Sequence, residues 1–358
     1  MIESITDRVQ ILPRSSDEVR PLWSVMIPTY NCAHYLRHTL ASVLAQDLGS
    51  EVMQIEVIDD HSTEDDPEAV VKELGKDRVE FYRQPQNQGY IRNFETCLQR
   101  SRGHLIHILH GDDGVRDGFY RQLQTAFETH PEIGAAYCRQ MIMDEWGNWQ
   151  KISDLEQSHS GILSQALERI LVRHPIQTPA IVVRRSVYET LGGFDRRIAS
   201  CGEDWEMWVR IALHYPIWYE VAPLALYRSH STSLSGRAVR TGQDLRDVRM
   251  AYEIIQSYLP ATIPRQLSEK AKEFWAFSGL YRALELLSYG DWQAVKAQMQ
   301  EVIKFNPSLK VMLVSLFYLT IGILKYWSQE SDPKKMFLPA KNAKLLTPNP
   351  SPKSCPRA

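Results

Sequence analysis

Five short segments of this chain carry residues that could do chemistry. Asp112 and Asp113 follow an apolar run, His104-Leu-Ile-His-Ile-Leu109, through His110 and Gly111. Paired carboxylates at a strand end can hold a hard divalent cation, and such a cation can neutralise a departing diphosphate. The same Gly-Asp-Asp-Gly run is also good turn chemistry. Asp59 and Asp60 end a second apolar run, Ile55-Glu-Val-Ile58. A carboxylate there could accept hydrogen bonds from a base or ribose, or cap the next element. Arg92, in Asn87-Gln-Gly-Tyr-Ile-Arg92-Asn93, could clamp a phosphate from just inside a helix or stay solvated. Glu203-Asp204-Trp-Glu-Met-Trp208 opens a helix, where the dipole already favours acids; its chemical reading is a general base. Neighbouring helical residues point about 100° apart, so at most one of Glu203 and Asp204 is expected to face a given site. His230, in Tyr227-Arg-Ser-His-Ser-Thr-Ser233, is either structural or a third metal ligand or phosphate contact.

Something must bring these segments together, and the pattern of elements says what. Trp23-Ser-Val-Met-Ile27 is an apolar run expected to be a buried strand halted by Pro28. Tyr35 to Gln46 places Leu36, Leu40, Val43 and Leu44 on one helical face. Strands are expected at 55–58, 79–82 and 104–109, with a helix over 90–99. Alternation at this spacing predicts a largely parallel sheet covered on both faces, which binds ligands beyond the carboxyl ends of its strands. The polar clusters after Ile27, Ile58 and Leu109 all fall at that edge. Further strands are expected at 134–143 and 180–183, a helix at 203–214, and two short strands at 217–221 and 224–227.

Past about residue 240 the pattern turns helical. Phe274 to Leu287 and Trp292 to Phe305 read as a helical hairpin stopped by Asn306-Pro307. Val311 to Leu324 is uncharged between Lys310 and Lys325. It is short of the roughly 20 apolar residues a membrane span needs, and reads as either a buried or an interfacial helix. The expected organisation is a lead-in over 1–21, a catalytic domain over 22–240, a helical region over 241–327, and a proline-rich, basic tail over 328–358 without fixed structure.

Bulk numbers narrow the class. With 44% hydrophobic and 23% charged residues the chain resembles an ordinary globular protein. Its 41 Lys and Arg balance 43 Asp and Glu for a net charge of −2, so nothing attracts nucleic acid globally. The 5 cysteines are scattered without a CxxC pair, which argues for a reducing compartment and against structural zinc. The polar N-terminal stretch lacks a signal-peptide core, and a cytoplasmic setting is expected.

Taken together, these segments resemble family 2 glycosyltransferases with the GT-A fold, over about residues 22 to 236. The resemblance rests on Val25-Met-Ile-Pro-Thr-Tyr-Asn31, Glu56-Val-Ile-Asp-Asp60 with Ser62, Gly103 to Asp113, Gly192-Gly-Phe-Asp195 with Glu203-Asp204, and Tyr227-Arg-Ser-His230. It implies a mixed, mostly parallel central sheet plus a C-terminal helical appendage. It also implies that Pro28, Thr29, Tyr30, Asn31 and Asp59 cradle the nucleotide, that Arg92 matches a donor-side position, and that Asp204 matches the catalytic base. Asp112, with Asp113 beside it, corresponds to the metal-binding acid of the family's Asp-x-Asp motif. His230 lies where some members contact metal or diphosphate. The first acid of the motif falls on His110, which can itself coordinate Mn²⁺. The implied reaction is metal-dependent (Mn²⁺ or Mg²⁺) and inverting. Its partners would be a nucleotide-sugar donor and a glycan or lipid-linked acceptor, in polysaccharide assembly, with peripheral contact to the inner membrane face through residues 311–327.

A sugar-nucleotide pyrophosphorylase would need a glycine-rich basic loop after the first strand, and Pro28-Thr-Tyr-Asn31 has neither glycine nor Lys or Arg. The remaining alternative is a catalytically inactive nucleotide-sugar-binding relative, for which the histidine at position 110 is the argument.

Overall fold

The computed structural model describes residues 7–15, 18–230 and 232–330. Its strands are β1 (Trp23–Thr29), β2 (Met53–Asp59), β3 (Glu80–Arg83), β4 (Leu105–Ile108), β5 (Gly114–Val115), β6 (Ala135–Met143), β7 (Trp149–Ile152), β8 (Gly161–Ile162), β9 (Ile181–Arg184) and β10 (Ile217–Arg228). Among them run helices α1 (Ala33–Leu44), α2 (Pro67–Leu74), α3 (Tyr90–Arg100), α4 (Phe119–Thr129), α5 (Ala166–Val172), α6 (Arg185–Leu191) and α7 (Glu203–His214). After β10 come α8 (Leu234–Thr241), α9 (Gln243–Tyr258), α10 (Arg265–Ser288), α11 (Trp292–Phe305) and α12 (Leu309–Glu330).

The strands form one ten-stranded mixed sheet in the order β3-β2-β1-β4-β9-β6-β10-β5, with β7 on β6 and β8 on β10. β1 pairs in parallel with β2 and β4, β2 with β3, and β6 with β10. β9 runs antiparallel between β4 and β6, so β1 to β4, β6 and β10 all point one way. The pleat sends alternate side chains to opposite faces, and β1, at the middle of the parallel part, is buried on both. Trp23, Val25 and Ile27 join the core that holds Leu36 and Leu40 of α1, while Met26 joins the core that holds Phe94 of α3 and Trp205 and Trp208 of α7. The mixed sheet and the C-terminal helices expected from the sequence are both present.

Several expectations change in detail. Pro28 does not end β1, which continues to Thr29. The Pro28 carbonyl accepts from Gly111 N at 3.0 Å, so its donorless nitrogen faces the side where β4 has already ended at Ile108. The two short strands expected at 217–221 and 224–227 are a single strand, β10, with register shifts around Pro223. A bulge there lets one strand keep its pairing while its end is re-aimed. The described part of the lead-in is not loose. Val9 and Ile11 are buried in the core, and Arg8 bridges Asp195 and Glu206 at 3.1 Å each.

Of the two readings of residues 311–324, a buried or an interfacial helix, the first does not hold for α12 as a whole. It packs against α10 through Val311, Leu319 and Ile323, and presents Leu313, Leu316 (66% exposed) and Phe317 (60% exposed) outward. Among the described residues no helix is long and apolar enough to cross a membrane. Of the tail expected from residue 328, positions 331–358 lie outside the described residues.

Candidate active site

The carboxyl ends of β1, β2, β4 and β10 open into one cavity of about 1080 Å³. Nine of the eleven residues to which the resemblance gives a role line it: Pro28, Thr29, Tyr30, Asn31, His110, Asp112, Asp113, Asp204 and His230. They come from the end of β1 and the loop after it, the β4–β5 turn, the start of α7 and the segment just after β10. Asp59 and Arg92 do not line it.

The reason for Asp59 is local. Its carboxylate accepts from Ser62 N at 3.1 Å and from the Ser62 hydroxyl at 2.5 Å, and pairs with Arg83 at 3.2 Å. It is fully buried and fastens the turn that follows β2. The next side chain points the other way, so Asp60 reaches the cavity instead. Asp60 accepts from Gln88 N at 2.7 Å and Gly89 N at 2.9 Å, and so ties the entry of α3 to β2. Gly89 has φ +84°, a left-handed conformation that costs glycine little. Arg92 sits on the exposed side of α3, opposite the buried Ile91, Phe94 and Leu98. Asn31 adopts φ +50°, with its side chain accepting from Thr63 N at 2.9 Å and its own N–H donating to Ser62 at 2.8 Å. The loops after β1 and β2 thus form one hydrogen-bonded wall.

At the middle of the cavity two histidine–carboxylate pairs stand side by side. His230 Nε2 lies 3.1 Å from Asp112 Oδ2, and His110 Nδ1 lies 3.2 Å from Asp113 Oδ2. Asp113 Oδ1 accepts from Arg228 N at 2.8 Å. Burial would lower the His110 pKa, but Asp113, Asp112 and Glu203 outweigh it and hold it at about 9. Burial and the adjacent Asp112 push Asp113 up. One ligating atom each from His110, Asp112 and Asp113 fall within 4.8 Å of one another. His110 Nε2 and Asp113 Oδ2 are buried with no well-aligned hydrogen-bond partner. Two carboxylates, an imidazole and orphaned ligand atoms are a donor set that fits Mn²⁺ or Mg²⁺.

Arg228, the second residue of Tyr227-Arg-Ser-His230, has no signal in the sequence that marks it for the site, yet it lies at the centre of this wall. Its guanidinium donates to the carbonyls of Asp112 (2.8 Å), Asp144 and Glu145 (both 3.1 Å), and lies 4.6 Å over the Tyr35 ring. Among the described residues no carboxylate pairs with it. A buried cation held by carbonyls retains its charge for an anionic ligand.

Glu203 and Asp204 both line the cavity, contrary to the expectation that at most one would. The cavity is wide enough to pass over the end of α7, which is capped by Gly202 at φ +92°. The two carboxyls differ in environment. Glu203 accepts from the Tyr90 hydroxyl at 3.1 Å, and burial together with Asp204 raises its pKa. Asp204 Oδ1 accepts from Trp205 N at 2.8 Å, and Oδ2 lies 3.0 Å from His174 Nε2. Burial would raise Asp204, but His174 outweighs it and the net direction is down. An acid and a base of different proton affinity therefore sit side by side.

No periodicity marked His174, a lone histidine between α5 and β9. Nor could it show that the helices past residue 240 reach the site. Asp244 and Val248 of α9 and Trp275 and Arg282 of α10 line the same cavity, and Arg282 pairs with Asp244.

Comparison with known proteins adds to this geometry. The family model described as Glycosyl transferase family 2 matches residues 24–192. Protein MT1568 of Mycobacterium tuberculosis is 28% identical over 244 residues, covering 65% of this chain and 75% of that protein. The O-antigen biosynthesis protein RfbC of Myxococcus xanthus is 25% identical over 209 residues, 53% of this chain but 16% of that much longer protein. Among solved structures, S. aureus TarS 1–349 in complex with UDP-GlcNAc aligns with a TM-score of 0.60 at 16% identity, covering 79% of this chain and 81% of that one. The mannosyltransferase PcManGT of Pyrobaculum calidifontis, in complex with GDP-Man and Mn²⁺, aligns with a TM-score of 0.53 at 15% identity, covering 90% and 85%. At these identities the structures speak for the fold.

Proposed function

This chain belongs, through residues 24–192, to glycosyl transferase family 2 and has the GT-A fold, and from that premise we propose that it moves a sugar from a nucleotide-sugar donor to an acceptor hydroxyl with inversion at the anomeric carbon. One observation carries the proposal: a single cavity gathers the loops after β1 and β2, the His110–Asp113 cluster and Asp204.

The base and ribose lie against Thr29 to Asn31 and Asp60, and the diphosphate lies toward Arg228. Asp204 accepts the proton of the acceptor hydroxyl as that oxygen attacks the anomeric carbon from the face opposite the diphosphate. One C–O bond forms, the bond to the diphosphate breaks, and its electron pair leaves with the nucleoside diphosphate. Inversion is supported by the state of the second carboxyl. Glu203, with its proton affinity raised by burial and by Asp204, is a poor nucleophile for a double displacement. Asp112, Asp113 and His110 would hold Mn²⁺ or Mg²⁺, with His230 backing Asp112. When bound, such an ion supplies positive charge to the leaving diphosphate.

Assembly of a surface polysaccharide or a lipid-linked glycan is the setting that the name of RfbC supports. The free thiols Cys32, Cys97, Cys138 and Cys201 are compatible with a reducing, cytoplasmic compartment. A peripheral membrane contact is supported by the outward apolar face of α12 and the Lys and Arg beyond it. Leu316→Asp combined with Phe317→Asp is expected to abolish sedimentation with anionic vesicles while leaving donor hydrolysis unchanged. A wild-type chain that never sediments with such vesicles removes the contact.

The test of function is release of nucleoside diphosphate from a panel of nucleotide sugars, starting with UDP-GlcNAc and GDP-mannose, with and without Mn²⁺. Binding of nucleoside diphosphate without release or transfer from any donor would mark an inactive relative. Asp112→Ala is expected to remove the Mn²⁺-dependent part of nucleoside diphosphate binding without lowering the ligand-free Tm. At 100 times Kd that binding adds about 2.7 kcal/mol of stability, a thermal shift the variant should lose. Unchanged affinity in Mn²⁺ would count against the site.

A further inference from the structure

We propose that His174 is a positioning residue that keeps Asp204 ionised and aimed at the acceptor; this rests on the assignment of Asp204 as the base. His174 lies on the segment between α5 and β9, far in sequence from α7, yet its Nε2 is 3.0 Å from Asp204 Oδ2. Its side chain is 14% exposed and that of Asp204 11%, so bulk water does not mediate the contact.

The segment is anchored on both sides. Trp205 Nε1 donates to the Ile170 carbonyl at 2.7 Å, Arg173 pairs with Glu156 at 2.9 Å, and Gln140 donates to the Pro175 carbonyl at 3.2 Å. The His174 ring also packs 6.1 Å from Trp275. The imidazole is therefore delivered to Asp204 by the fold rather than by a flexible side chain. Its Nε2 meets Asp204 as a 3.0 Å ion-pair contact without a well-aligned hydrogen bond, and the other nitrogen is hydrogen-bonded to the Ile176 backbone; the charge of Asp204 and that backbone bond both favour the imidazolium.

A nearby cation is what a buried base beside a second carboxyl requires. The other groups that face the pair are mostly acidic. From α7 comes Glu203, from α3 Tyr90, and from β10 Tyr227, all of which favour protonation of Asp204 when charged. From the β4–β5 turn comes His110, which is paired with Asp113 and acts on Asp204 in the same direction as His174 but more weakly, and from α10 comes Arg282, which is paired with Asp244. The cation that touches Asp204 is His174, and it divides the Glu203–Asp204 pair into a carboxyl that keeps its proton and a carboxylate that can take one. During turnover the acceptor proton goes to Asp204, and His174 keeps its own.

The sign of the pH effect follows. The base form of Asp204 is needed, so turnover is lost as pH falls through its pKa. Removing the cation raises that pKa and moves the acid limb upward. An opposite charge at this range shifts a carboxyl by about one to three pH units, so His174→Gln should move the acid limb of kcat for donor hydrolysis up by at least about one unit, roughly tenfold in rate per unit on the limb. Nucleoside diphosphate affinity should not change, and His174→Lys should restore part of the original limb. As a readout independent of turnover, the His174 imidazole followed by NMR should titrate above an ordinary histidine in the wild type and fall in Asp204→Asn. An unmoved acid limb in a folded His174→Gln, or a His174 titration indifferent to Asp204→Asn, overturns the inference. If instead Asp204→Asn leaves turnover intact, it is the assignment of the base that fails.

Discussion

Asp204→Asn is expected to lower turnover by about two to four orders of magnitude, the usual worth of a positioned general base. Asparagine has the shape of aspartate and can still accept from Trp205 N, now made at 2.8 Å. It cannot take a proton. The side chain is buried at the start of α7, and asparagine keeps its volume but gives up the charge that faces His174 at 3.0 Å, so the Tm should fall modestly while His174 sheds its proton. Nucleoside diphosphate binding should persist, because the base-binding wall and the His110–Asp113 cluster are built by other elements. Unchanged turnover in this variant would remove Asp204 from the reaction and turn attention to Glu203, its neighbour in the same cavity. A variant that also lost nucleotide binding would mean that the α7 end shapes the donor pocket itself.

Glu206→Ala should be the most destabilising of the substitutions considered, although it lies outside the cavity lining. Glu206 is wholly buried on α7, with Oε2 2.9 Å from Arg210 Nη2 and Oε1 3.1 Å from Arg8 Nη2. Arg210 is 4% exposed and also donates to the Leu191 and Gly193 carbonyls. Deleting one partner of a buried ion pair leaves an uncompensated charge, a loss of about 3–5 kcal/mol. The carbonyls that Arg210 keeps place the expected value near the lower end. A urea midpoint measures it, and a change under about 1 kcal/mol, the range of an exposed pair, would mean that water reaches Arg210. Arg8 belongs to the N-terminal segment, so this network also ties that segment to the helix that bears Asp204.

Much of the fold was legible in the chain because burial imposes a period on the residues themselves. Apolar runs at 23–27, 55–58 and 104–109, too short for helices and set between polar turns, read as strands covered on both faces, and helices at 203–214 and 292–305 were bounded correctly by their polar and proline ends. The edge at which ligands would bind followed from the same alternation. Detail failed where a local signal has two outcomes. Pro28 stops a strand only if its nitrogen faces a partner, and which neighbour lies there depends on where β4 ends. At Asp59-Asp60 the pleat sends two adjacent carboxylates to opposite sides, and neither composition nor spacing says which side holds the cavity.

By itself, the order of residues determined the main strands, the longer helices that flank them, the sheet edge and the acids carried to it, since these depend on neighbours a few positions apart. Only the tertiary structure decided that His174, Arg228, Trp275 and Arg282 share the cavity with those acids, that Asp59 and Arg92 do not, and that Glu203 and Asp204 lie in unlike surroundings. Such contacts join positions dozens of residues distant. Proton affinity and charge pairing depend on separation in space and on exclusion of water, and a linear pattern encodes neither.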